Sequence, residues 1–202
     1  MSTASVREKI INAALDLFSQ KGYDATSVDE IAESIGMKGP NIYKYFKGKE
    51  EVLKELSAKM EEGYRQRMKM SPDAGSNISS RDELKEFSMN QIRFTIEDDK
   101  ICKLRKMGTI EQFRNAHFSQ QTSEHQFDNM QRQFSAIFRN LMDKGVLEQD
   151  DAEMMAMEYY APVSLLIQLC DREPDRKEEV LGTVEKYIDF FLGKYFKTVK
   201  TA

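Results

Sequence analysis

Residues 27–46 read SVDEIAESIGMKGPNIYKYF, and this stretch decides the fold. Ser27 and Glu30 form an S-x-x-E capping box ahead of Ile31 and Ala32, the mark of a helix start. Gly36 stops that helix early. Pro40 suits the first turn of the next one, where its missing N–H costs nothing. Lys47-Gly48-Lys49 then ends this second helix at about Phe46. Two short helices joined by a tight glycine turn are a helix-turn-helix. Ile42 and Phe46 lie four apart and face inward, whereas Lys38, Asn41 and Lys44 are placed to face outward.

Working outward, the same alphabet continues. Val6, Ile10, Ala13, Ala14, Leu17 and Phe18 repeat at helical spacing, and Gly22 follows where a helix-ending glycine belongs. A longer helix is predicted from Glu50 to Gln66 through Val52, Leu53 and Leu56. Ser71 to Ser80 reads as a loop. Helices are expected over 83–97 and 100–113, divided at Asp98-Asp99, and over 119–144 as one long element ended by Gly145. Two more follow, over 150–171 with an interruption at Pro162 and over 175–196. Pro162 frees the carbonyl of Glu158 and either kinks a helix or separates two. No segment alternates like a strand and no repeat appears, so the expected class is all-α.

Composition bounds the function. The 202 residues are 40% hydrophobic and 32% charged, with 4 Pro and 10 Gly, as in an ordinary globular protein of one or two domains. Cys102 and Cys170 form no CxxC, which excludes a disulfide framework and a cysteine zinc site and fits a reducing, cytoplasmic setting. The most apolar stretch, 161–170, is half the ~20 residues that a membrane span needs. No nucleophile elbow, phosphate-cradling glycine loop or H-E-x-x-H is present, so no enzyme and no cofactor are expected. His117 and His125, near Glu124 and Asp128, read as surface histidines rather than a metal site. The net charge of −4 speaks against a uniformly basic coat. From Ile35 to Lys49, however, there are four lysines (Lys38, Lys44, Lys47, Lys49) and no acid. Positive charge therefore gathers on the helix-turn-helix, where DNA would sit.

Two stretches, residues 7–32 (REKIINAALDLFSQKGYDATSVDEIA) and 42–50 (IYKYFKGKE), resemble the DNA-binding domain of tetracycline-repressor (TetR) family regulators over about the first 55 residues. The resemblance implies a DNA-binding domain over 1–50 and an effector-binding and dimerisation domain over 51–202. It places Thr26, Ser27, Tyr43 and Lys49 on backbone phosphate. It places Lys38, Gly39, Pro40, Asn41 and Lys44 in the base-facing region, with Asn41 and Lys44 the expected specificity residues. Many relatives have Ser, Arg or Lys, then Gly at 38–40, so the operator cannot be copied from any of them. The implied partners are a palindromic double-stranded operator, a small, apolar effector and a second copy held through the last two helices. Met and aromatic residues adapt to varied apolar shapes. The expected effector set is Met89, Phe94, Met107, Phe113, Phe127, Met130, Phe134, Tyr159 and Tyr160, with Ser164 and Gln168 among its polar contacts. The implied function is a ligand-responsive repressor without membrane association. The readings weighed against it are a small helical carrier or enzyme using a C-terminal cavity, and a helical interaction scaffold.

Overall fold

A computed structural model describes residues 5–67 and 77–196. The described chain is all-α apart from one isolated bridge between Leu147 and Phe196. The order is α1 (Val6–Lys21), α2 (Val28–Ser34), a 3-10 helix (Gly39–Lys44), α3 (Lys49–Arg67), α4 (Arg81–Glu97) and α5 (Asp99–Glu111). Then come α6 (Ala116–Ser123), a π turn (Glu124–Asp128), α7 (Asn129–Asp143), α8 (Ala152–Arg172), a short 3-10 turn (Pro174–Arg176) and α9 (Lys177–Tyr195).

Local chemistry sets the boundaries. Both α1 and α2 open with complete capping boxes, Ser5 with Glu8 and Ser27 with Glu30. Each box satisfies two N–H groups that a helix start leaves orphaned. Gly22 (φ +89°) ends α1. Gly145 (φ +70°) ends α7 in a Schellman motif, its N–H bonded to Met142 O and that of Val146 to Leu141 O, both at 2.9 Å. The expected helix 119–144 is in fact α6, a π turn and α7. The loop expected over 71–80 lies outside the described residues as far as residue 76, and 77–80 are non-helical.

Pro162 neither splits α8 nor leaves a bond unmade. The helix runs through it, and the hydroxyl of Tyr187 on α9 donates to the freed Glu158 carbonyl. Tyr195 and Lys194 add bonds to the Glu158 carboxylate at 2.5 and 3.0 Å, and the Tyr195 hydroxyl holds that carboxyl below its ordinary range. The freed carbonyl thus serves α8–α9 packing.

The chain forms two compact units, one of residues 1–67 with 99–121, the other of 68–98 with 122–202. This departs from the expected boundary at residue 50, which falls inside α3. In the first unit, Ile10, Ala14 and Phe18 of α1 share a core with Ile31, Ile42, Phe46 and Leu56. Met107 of α5 and Phe118 of α6 complete it. Lys103 on α5 bonds Asp16 on α1 at 2.6 Å. In the second unit the core centres on Tyr159, whose ring meets Phe134, Phe138 and Phe191 with centroids 5.0, 5.5 and 4.7 Å away. Its hydroxyl donates to Ser88 Oγ at 2.9 Å. Burial of that phenol raises its pKa, so it stays a donor. Among the described residues, no helix is long and apolar enough to cross a membrane.

Candidate nucleic-acid interface

The element expected to face the bases is shorter and tighter than an α-helix. Its bonds include Asn41 N–H to Lys38 O and Tyr45 N–H to Ile42 O, both at 2.9 Å and both three residues apart. A six-residue run of this kind is long for a 3-10 helix, whose hydrogen bonds are less well aligned. Tertiary anchors hold it. Ile42 and Phe46 are buried in the first core, 0% and 1% exposed. Burying the two side chains stabilises the element by roughly 1.5–3 kcal/mol each. Arg7 of α1 donates to the Tyr45 carbonyl at 2.6 Å, lies 4.2 Å from the Phe46 ring centroid and pairs with Glu55 of α3.

The opposite face is open. Lys38, Pro40, Tyr43 and Lys44 are exposed and Asn41 is half-buried. Four cationic or hydrogen-bonding side chains on one short segment, Lys38, Asn41, Tyr43 and Lys44, can meet phosphates and base edges. Gly39 lies close to α2, where a β-carbon would push the exposed Asp29 carboxylate aside.

Two expected phosphate contacts have other work. Thr26 is 1% exposed and donates its hydroxyl to the Gly22 carbonyl at 2.8 Å. Its side chain closes the α1–α2 turn and is not presented outward. Lys49 donates to the carbonyl of Tyr23 at 2.6 Å and sits 4.2 Å over the Tyr23 ring, so its ammonium braces that same turn. Ser27 is exposed, with its N–H and hydroxyl turned to Glu30. An ion pair with Lys21, backed by the Ser27 bonds, holds the Glu30 carboxyl down to about 2.

Two residues of the expected effector set lie apart from the others. Met107 is buried in the first unit's core, because α5 packs on α1. Phe113 is 90% exposed. The remainder lie in the second unit. Met89, Phe134 and Tyr159 are buried core residues, with Met130 packed against them. Phe94, Ser164 and Gln168 are half-buried. Phe127 is 48% exposed and meets the Tyr160 ring edge-on at 6.1 Å. The second unit also holds buried polar atoms without a protein partner, namely Gln91 Nε2, Gln131 Oε1, both amide atoms of Gln133 and the Tyr160 hydroxyl. Such orphans are uncommon in a native core and each calls for a partner. Among the described residues, no group of three or more His, Cys, Asp and Glu is arranged to hold a metal ion.

Sequence reasoning missed Arg7 and Glu111. Arg7 stands three and four residues ahead of Ile10 and Ile11, on the apolar stripe of α1. Glu111 follows Leu104 and Met107 on the stripe of α5. A charge in stripe register was the available signal.

Comparison with known proteins agrees with this geometry. Residues 10–56 match the bacterial regulatory proteins of the tetR family. Residues 82–197 match the C-terminal domain of AefR-like transcriptional repressors. The probable HTH-type transcriptional regulator YttP of Bacillus subtilis (strain 168) is 43% identical over 77 residues, which is 38% of this chain and 36% of YttP. The chain thus spans little more than a third of that relative. A TetR family transcriptional regulator from Pseudomonas syringae pv. tomato superposes with a TM-score of 0.66 at 23% identity, covering 98% of this chain and 100% of that one. SmeT, the repressor of the Stenotrophomonas maltophilia multidrug efflux pump SmeDEF, superposes with a TM-score of 0.67 at 22% identity, covering 96% and 92%. SmeT has also been solved as a triclosan complex.

Proposed function

Because this chain belongs to the tetR family of bacterial regulatory proteins, we propose that it is a cytoplasmic, sequence-specific DNA-binding repressor, released from its operator by a small effector. The observation that carries this reading is the split character of residues 38–46. Ile42 and Phe46 anchor the segment in a core, while Lys38, Pro40, Tyr43 and Lys44 stand exposed. Lys38, Tyr43 and Lys44 serve phosphate and the major groove, Asn41 and Lys44 read base edges, and Ser27 offers the start of α2 to phosphate. Thr26 and Lys49 act by bracing the α1–α2 turn. Gly39 contributes a close backbone approach and no base contact.

A palindromic operator follows if two copies act together, with half-sites about one helical turn (~34–36 Å) apart. Large apolar side chains on the outer sides of α8 and α9 support pairing through those helices. Met154, Leu165 and Phe190 are 59%, 63% and 70% exposed. Exposed apolar surface of this kind marks an association site.

The effector is neutral as well as largely apolar. Every buried polar side chain described in the second unit is uncharged, and its unpartnered polar atoms belong to amides and a phenol. A charged ligand would enter that core without a counter-ion, at a large desolvation cost. An effector that favours the released state need supply only ~1–3 kcal/mol of coupling.

The test is duplex binding with Asn41→Ala and Lys44→Ala. Asn41→Ala is expected to cost about 1–3 kcal/mol on the preferred operator and to flatten base preference at one position per half-site. Lys44→Ala is expected to weaken every duplex and reduce the salt slope. Unchanged binding in both variants contradicts the reading.

A further inference from the structure

Among the described residues, Glu111 is the one charged side chain that is buried, at 1% exposure. Its Oε1 accepts the backbone N–H of Tyr23 at 2.7 Å, and its Oε2 is buried without a partner. A carboxylate satisfied on one oxygen only is a poor way to stabilise a core, where an apolar side chain of the same size would serve at least as well. What the carboxylate supplies is an acceptor at one defined place.

That place is the α1–α2 turn. A β-carbon at Gly22 would come within 2.6 Å of Glu111 Oε1 and 3.0 Å of Ile110 Cγ2, so the glycine admits the end of α5. The next residue, Tyr23, is then held three ways. Glu111 of α5 takes its N–H, Lys49 of α3 binds its carbonyl at 2.6 Å, and its ring packs on Phe18 of α1 with centroids 5.3 Å apart. Four residues later Ser27 caps α2.

We infer that Glu111 is a positioning residue for DNA binding. Its carboxylate fixes the turn 22–26, and with it the start of α2, without itself touching the duplex. This rests on the DNA-binding reading above. The Tyr23 N–H needs an acceptor in this part-buried turn, and Glu111 is the group that reaches it.

The experiment compares full-length wild type, E111M, E111Q and K103A, each confirmed folded by melting, on a duplex selected by the wild type. E111M keeps length and volume and removes the acceptor. It is expected to lose about tenfold or more in affinity while melting no lower than the wild type. E111Q retains a carbonyl oxygen for Tyr23 and stays within roughly threefold. K103A breaks the ion pairs with Asp16 and Asp99, leaves Glu111 in place, and likewise stays within roughly threefold. Amide exchange at Tyr23 accelerates in E111M and not in E111Q. Should E111M fold poorly, E111A replaces it with the same expected loss. A wild type that selects no duplex overturns the DNA-binding reading and this inference with it. A wild type that binds while folded E111M binds equally well overturns the inference alone. So does a parallel loss in E111M, E111Q and K103A, which would make the packing of α5 the cause.

Discussion

The two units differ in how they hold their polar groups. In the first, charged side chains end on backbone atoms: Arg7 on the Tyr45 carbonyl, Lys49 on the Tyr23 carbonyl and Glu111 on the Tyr23 N–H. Each such bond fixes a turn or a helix end, while Lys38, Tyr43 and Lys44 stand exposed. In the second unit, whose core centres on an aromatic cluster at Tyr159, several buried amide atoms and the Tyr160 hydroxyl have no partner. One unit is built to hold a surface in one position. The other keeps hydrogen-bonding capacity in reserve inside a core. That division suits a protein that presents a fixed face to DNA and answers to a small molecule elsewhere.

The largest effect tests the second core. Phe138 is fully buried and meets Tyr159 edge-on and Phe191 at a tilt, with centroids 5.5 and 5.7 Å away. Phe138→Ala is expected to destabilise the protein by about 3–5 kcal/mol in chemical denaturation. A loss under ~1 kcal/mol would mean that the aromatic cluster is not the organising core.

Next comes the bracing of the first unit. Lys49→Ala should lower operator affinity about tenfold with little change in salt slope, because the ammonium is spent on Tyr23. A slope smaller by ~0.9 per subunit would return Lys49 to direct phosphate contact.

Adjacent tyrosines sharpen the contrast within the second unit. Tyr159→Phe removes the partner of the buried Ser88 hydroxyl and should cost ~1–3 kcal/mol. Tyr160→Phe removes a hydroxyl without a partner and should leave stability unchanged or higher, while weakening the response to effector. Equal losses from the two would end the case for reserved polar groups.

The smallest effect is electrostatic and lies at the α2 cap. Glu30 is held at about 2 against an ordinary value of 4.5, so its contribution is present above the ordinary value and is lost as pH falls toward 2. Glu30→Gln should remove that part of the acid dependence, read as a smaller drop in melting temperature between neutral and acid pH.

How much of this was legible in the sequence depends on the range of the interaction. The Ser27–Glu30 capping box, the terminating Gly22 and the inward placing of Ile42 and Phe46 are local and legible, and the Ser5–Glu8 box is a local signal that sequence reasoning passed over. Pro162 announced a freed carbonyl at Glu158 but not Tyr187, which lies on another helix. The allegiance of α5 was not legible. Its stripe shows that one face is buried, and periodicity does not name the partner. Met107 was therefore read with the C-terminal aromatics, although it packs with Phe18 and Leu56. Thr26 and Lys49 carry the right chemistry for phosphate, and only three-dimensional contacts show that both also bond carbonyls of the α1–α2 turn.

The central claim is that the exposed face of residues 38–44, fixed from behind, reads DNA. Its most direct test is selection of bound duplexes from a random pool by the purified full-length protein at two salt concentrations. The account predicts recovery of a palindrome with half-sites about one helical turn apart, bound far more weakly at ~200 mM than at ~50 mM salt. No enrichment at either salt would contradict it.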